Sequence, residues 1–252
     1  MLNSWDLPEC GGQEIMKHWN KIRVVLIVLL SAVLIYSGVK IGIYLYDGYS
    51  NKDLNDGLRK EYHQSQHTDR FKSLLDMNED VVGWIKIPGT NIDYPVVQAD
   101  NNQFYLNHNL KKEMSTRGSI FMDYRNSKDE LDYNTVLYGH HMKDGSMFTD
   151  LFAYKKPSFY TDHAYIEYDI PEQPMRWQIF SVYVYQPSND CLQLSFNNDM
   201  EYAQYLDMVR GRSIYETGVK VTNDDKILTL VTCSYEFKNA KLLIHIRTGH
   251  QC

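Results

Sequence analysis

Two strand-like runs in this chain end in reactive side chains. Lys226-Ile-Leu-Thr-Leu-Val-Thr-Cys233 is apolar and β-branched, reads as a buried strand, and delivers a thiol at its last residue. The polar turn Ser234 to Asn239 follows at once, so the thiol has an immobile backbone beneath it and an open face above, which suits a nucleophile. On its own, a lone cysteine in an apolar strand is more often a small buried hydrophobe. A second run, Asn134-Thr-Val-Leu-Tyr-Gly-His140, tilts the balance, because it ends in a candidate base. Attack on a peptide carbonyl needs a thiolate or a thiol beside a proton acceptor, and the departing amine needs a proton. One cysteine and one histidine can divide that work. If water is scarce and the thioester outlives it until an amine arrives, the outcome is transpeptidation instead of hydrolysis.

Positioning these two groups requires a rigid frame, and most of the chain after Asn78 reads as β-structure. Val81 to Ile87 and Ile92 to Gln98 form a predicted hairpin with a Pro-Gly turn between them. Further strands are predicted at Gly118 to Met122, Asn134 to Tyr138, His163 to Ile170, Arg176 to Tyr185, Ile227 to Cys233 and Lys241 to Arg247. The fold class expected is mainly β, a closed or nearly closed barrel of about eight strands. One helix interrupts the late strands, between the sixth and the seventh. Asn198 with Glu201 resembles a capping arrangement, Tyr202, Leu206 and Val209 recur at helical spacing, and Gly211 stops it. Ahead of the barrel, Ser50 to Asn78 is polar and charged, with Leu54, Leu58, Phe71, Leu74 and Leu75 at helical intervals. It reads as a helical stalk followed by a short amphipathic helix.

The amino-terminal stretch has a different character. Val24 to Val39 carries no charge, and after Lys40 the apolar run resumes as Ile41 to Tyr46, so about 23 residues span a bilayer if Lys40 snorkels. A soluble helix of this length shows a polar stripe, and this one does not. A cleaved signal peptide shares the charged start and apolar centre, but the run exceeds a typical signal core and no small-residue cleavage site clearly follows. The expectation is an uncleaved anchor. Lys17, Lys21 and Arg23 crowd its near flank, which favours the amino terminus inside. The domain plan is then residues 1–23 inside, 24–46 in the membrane, 47–78 as stalk and first helix, and 79–252 as the barrel.

The 252 residues, 43% hydrophobic, suffice for one sizeable domain with an appendage. A net charge of −6 without a basic patch argues against nucleic acid. The 20 tyrosines have no ordered basic residues between them, so they are barrel filling and rim, not a stacking platform. Of four cysteines, Cys10 lies across the membrane from Cys191, Cys233 and Cys252, which leaves an odd number outside. With Cys233 free, Cys191 and Cys252 form the only pair available, and nothing in the sequence supports their bridge. No cysteine-histidine metal spacing is present, and adjacent His140 and His141 point to opposite faces of a strand, so neither metal nor cofactor is expected.

Leu137-Tyr-Gly-His-His-Met142 with Gly145-Ser-Met-Phe148, and Thr229-Leu-Val-Thr-Cys233, resemble the signature segments of class B sortases. Tyr94-Pro-Val-Val-Gln98, Phe104-Tyr-Leu-Asn-His108 and Arg117-Gly-Ser-Ile-Phe-Met-Asp-Tyr124 also match in order and spacing, so the resemblance covers roughly residues 70–248. It implies a sortase-type barrel whose late helix lies beside the substrate groove. It implies a cysteine transpeptidase on the outer face of a Gram-positive cell, which cleaves a sorting motif near a surface protein's carboxy terminus after Thr. A Cys233 thioester then passes to a cell-wall or pilin amine. The family's histidine directly follows the glycine, which designates His140, and strand alternation also sets Val136, Tyr138 and His140 on one side. The family usually opens its last strand with an arginine that holds the substrate carbonyl or the oxyanion, whereas the matching residue here is Lys241. Arg247 is the alternative, but six strand residues carry it about 20 Å further on. Lysine supplies charge without a bidentate fork. Two other readings stand beside this one, a thiol peptidase that hydrolyses and a surface binding module with weakened catalysis.

Overall fold

In the computed structural model the described residues are 12–65, 67–171, 173–185, 192–233 and 240–248. They divide into two compact units, Met1–Tyr49 and Ser50–Cys252. The first is occupied by helix α1 (Gly12–Gln64), which continues past it; from His18 to Tyr46 its side chains are exposed. This helix is long and apolar enough to cross a membrane.

The second unit is a closed barrel of eight strands: β1 (Val81–Lys86), β2 (Asp93–Val97), β3 (Ile120–Met122), β4 (Asn134–Tyr138), β5 (Tyr165–Asp169), β6 (Arg176–Tyr185), β7 (Ile227–Cys233) and β8 (Lys241–Thr248). Their order around the barrel is β1-β2-β3-β4-β7-β8-β6-β5, with β5 closing on β1. Two neighbouring pairs, β2 with β3 and β4 with β7, run parallel. The hairpin of β1 and β2 turns at Pro88-Gly89, where Gly89 has φ 79° and Thr90 N–H donates to the Ile87 carbonyl at 3.2 Å. That left-handed position beside a proline is what the dipeptide specifies.

Two strands begin two residues later than the sequence predicts, each for a local reason. Gly118 takes φ 57°, outside the strand region, so β3 starts only at Ile120. His163 N–H donates to the Phe159 carbonyl at 3.0 Å and ends helix α3 (Pro157–Asp162), so β5 begins at Tyr165. Two 3₁₀ segments, Phe104–Leu106 and Thr149–Lys155, have no periodic signature to announce them.

Both faces of the sheet are covered, which is why several strands read as continuous apolar runs. The barrel interior holds Ile85, Val96, Ile120, Leu137, Leu228 and Ile244, among others. Outside, helix α2 (His67–Met77) and the last turns of α1 bury Leu58, Tyr62, Phe71 and Leu74 against Trp84, Val97 and Phe121. Tyr62 stacks on Trp84 with ring centres 4.0 Å apart and donates its hydroxyl to Asp169 at 2.8 Å. Helix α4 (Asp199–Gly211) covers another outer patch with Tyr202, Tyr205, Leu206 and Val209 over Val136, Ile227, Val231 and Leu243. Its start follows the sequence signal, since the Asn198 side chain accepts from Glu201 N–H at 2.9 Å. The Glu201 carboxylate, however, takes the N–H of Asn197, not that of Asn198.

Candidate active site

Strands β4 and β7 are parallel neighbours, and β8 runs antiparallel beside β7, so the ends of β4 and β7 meet the beginning of β8. Tyr138 is level with Val231, and Gly139 N–H still donates to the Val231 carbonyl at 3.1 Å. β4 and its ladder end there, so His140 follows two residues past Tyr138 as Cys233 follows two residues past Val231. Alternation puts Ile227, Val231 and Cys233 on the outer face, because Leu228 and Leu230 fill the interior. Cys233 therefore sits half-buried, a free thiol at the rim of the outer layer. The connection 234–239 lies outside the described residues, as do Cys10, Cys191 and Cys252, so the pairing of Cys191 with Cys252 falls there too.

Lys241 opens β8 as the direct cross-strand partner of Cys233, and its Nζ donates to Sγ at 3.0 Å. Arg247 is placed at the other end of the same ladder, opposite Ile227. Its guanidinium is engaged by Asp225 at 3.2 Å and by Gln178 at 3.1 Å.

His140 reaches away from the strand to a second support. Its Nε2 lies 2.8 Å from the Leu106 carbonyl, which can only accept, so Nε2 carries a hydrogen. Gly139 before it has no room for a side chain, since a Cβ would stand 2.5 Å from Ile120 Cδ1 and 2.6 Å from the Phe148 ring. The loop after it folds back tightly. Phe148 N–H donates to the His140 carbonyl at 2.9 Å, Met147 N–H donates to the Tyr94 hydroxyl at 3.1 Å, and Met147 has φ 58°.

His141 proves closer to the thiol's backbone than the sequence indicates. Burial holds its pKa below the ordinary value, against a hydrogen bond to the Cys233 backbone that favours its charged form, and Lys155 lowers it further. Its ring packs on Phe152 at 4.2 Å. The doubled histidine is the signal for this contact, but adjacency alone does not say which ring serves the backbone and which the chemistry. Tyr138 is a second unforeseen member. Its hydroxyl donates to Asp123 at 2.9 Å, and burial with that carboxylate beside it pushes its pKa up. Burial alone raises Asp123, but hydrogen bonds from Arg125, Tyr138 and Asn102 outweigh it and keep the carboxylate ionised.

Taken together, these residues bring a thiol, an ammonium and an imidazole to one end of three adjacent strands, a set able to attack a carbonyl, bear negative charge and move a proton. Comparison with known proteins gives the family. Residues 85–247 match the model of the sortase domain. A sortase B of Listeria monocytogenes is 37% identical over 219 residues, covering 84% of this chain and 89% of the relative. The structure of a Staphylococcus aureus sortase B–substrate complex superposes with a TM-score of 0.76 at 35% identity, covering 81% of this chain and 98% of that one. A sortase B complexed with triglycine superposes with a TM-score of 0.75 at 36% identity, covering 80% and 98%.

Proposed function

This chain belongs to the sortase family, in its class B branch, and from that premise we propose that it cleaves a carboxy-terminal sorting motif of surface proteins after Thr and transfers the acyl group to a cell-wall or pilin amine. The observation that carries the reading is the Lys241 ammonium 3.0 Å from the Cys233 sulfur, at the end of a strand that runs parallel to the one preceding His140. The Cys233 thiolate adds to the carbonyl carbon, and the Lys241 ammonium faces the oxygen on which negative charge gathers. The scissile C–N bond breaks as His140 gives a proton to the departing amine, leaving an acyl thioester on Sγ. An incoming amine adds to the thioester, loses its proton to His140, and expels the thiolate as the new amide forms. The relatives solved with a substrate and with triglycine support an acyl donor peptide and an amine acceptor as the two substrates.

The apolar length of α1 supports a single-pass anchor, and the basic residues before Val24 support an inside amino terminus with residues 50–252 outside the cell. Protease added to intact wall-less cells should digest the barrel. Protection of the barrel, or a shorter form in the medium, would show this topology to be wrong.

Product analysis tests the reaction itself. The purified protein is incubated with candidate sorting peptides, with and without triglycine or a diaminopimelate peptide. A new amide joining the two peptides is the expected product. Free acid alone in the presence of amine would instead identify a hydrolytic thiol peptidase, and binding without cleavage a surface binding module.

A further inference from the structure

Arg117 belongs to a segment that the chemistry above does not use, yet its guanidinium is buried and points at the loop that carries His140. Its Nε and Nη2 both donate to Asp144 Oδ2, at 2.9 and 2.6 Å. The other oxygen, Asp144 Oδ1, accepts from the Ser146 N–H at 3.1 Å and the Ser146 hydroxyl at 2.6 Å, which shapes the tip of the loop. Burial alone would raise the Asp144 pKa, but the bonds from Ser146 and Arg117 hold it below the usual carboxylate range.

The backbone next to Arg117 meets the same histidine from its other side. Gly118, at φ 57°, lies so close to the Tyr105 and Leu106 carbonyls that a Cβ there would collide with both oxygens. The Leu106 oxygen is the one bonded to His140 Nε2. Ser119 N–H, one residue further on, donates to the Tyr105 carbonyl at 2.9 Å. The segment 117–119 thus packs against Leu106 and bonds the carbonyl just before it, while its arginine holds the loop that follows the imidazole.

We propose that Arg117, through its ion pair with Asp144, is a positioning residue for His140, locking the 141–148 loop to the Leu106 carbonyl so that the imidazole is held in one orientation toward Cys233. The inference rests on His140 being the proton carrier of the proposed reaction. The Asp144 carboxylate is about two-fifths exposed and stays solvated when Arg117 is removed, so the consequence should appear in chemistry more than in folding. Angular looseness at a proton carrier, by contrast, costs rate directly.

The test is a double-mutant cycle on the full-length protein, read as the rate of iodoacetamide alkylation at Cys233, followed by mass spectrometry of the peptide containing it. Arg117→Met and Asp144→Asn are each made with His140 intact and in His140→Ala. Asp144→Asn stands in for Arg117→Met if the buried substitution impairs folding. The expected result is a loss of about tenfold or more from each variant when His140 is present, and less than about twofold when it is absent. In peptide cleavage, kcat should fall with KM unchanged. Equal losses in both backgrounds, or no loss in either, would overturn the positioning role while leaving the site intact. A Cys233 rate indifferent to His140→Ala would overturn the reading of the site, and the inference with it.

Discussion

The two ends of the β7–β8 ladder each present a cation, in opposite circumstances. At one end Lys241 stands beside a half-buried thiol, and its donor bond goes to sulfur. At the other, Arg247 is paired with Asp225, itself 2% exposed, and with Gln178. Both cations lie on the same face of the same strand. A cation neutralised by a buried carboxylate has its field committed to structure, whereas one beside a thiol has its field available when charge develops on a neighbouring atom. Position along the ladder, not residue type, separates the two roles. Between them lies His245, buried and neutral, with Nδ1 2.9 Å from the Thr229 hydroxyl and Nε2 3.0 Å from the Tyr183 hydroxyl.

The strongest way to break the comparison is to remove the thiol. Cys233→Ala should abolish acylation by a sorting peptide while leaving the fold unchanged by circular dichroism, because a sulfur at a half-exposed strand end contributes little packing. Residual acylation at the wild-type rate would move the nucleophile elsewhere.

Next in size is the cation beside it. Lys241→Ala should slow thioester formation by about 10²-fold or more, the scale of one lost oxyanion donor. Lys241→Arg should keep or raise the rate, since the guanidinium adds a fork suited to carbonyl oxygens. Normal acylation in Lys241→Ala, together with collapse in Arg247→Ala, would transfer the role to the far end of the ladder.

Arg247→Ala sharpens the contrast from the other side. It should leave acylation per folded molecule nearly unchanged but destabilise the barrel by about 3 kcal/mol, because Asp225 is left buried without its counter-charge. Urea unfolding measures this. A variant as stable as the parent would show that the ion pair contributes nothing to the fold.

The smallest effect belongs to His245. Burial, with Arg212 adding to it, lowers its pKa to about 3, well below the unfolded value of about 6.5. The folded state therefore favours the neutral ring. Its contribution is complete above about pH 6.5 and declines as pH falls toward the folded value, by at most about 1.4 kcal/mol per pH unit. Between about pH 6.5 and pH 5, above the range where Asp80, Asp123 and Asp144 take up protons, His245→Gln should flatten the loss of stability seen in the parent. Parallel curves for parent and variant would remove His245 from the account.

What the sequence by itself determined rests on neighbours along the chain. The β-branched run into Cys233, the Pro88-Gly89 turn and the Asn198 cap are local devices, and each formed where its residues predict. Alternation was also enough to predict that Val136 and Tyr138 share a side, and strand rise was enough to separate Lys241 from Arg247. Only the tertiary structure decided what crosses between strands. The parallel pairing of β4 with β7 levels Tyr138 with Val231 and so brings the ends of the two strands together, although their segments are far apart in sequence and nothing in either one encodes the register. The Leu106 carbonyl, the contact of His141 with the Cys233 backbone, and the hold of Asp225 on Arg247 arise in the same way. Periodicity records whether a side chain is covered, but the covering group comes from whichever distant segment barrel closure brings alongside. For backbone carbonyls, which every residue carries, no side-chain pattern exists to be read.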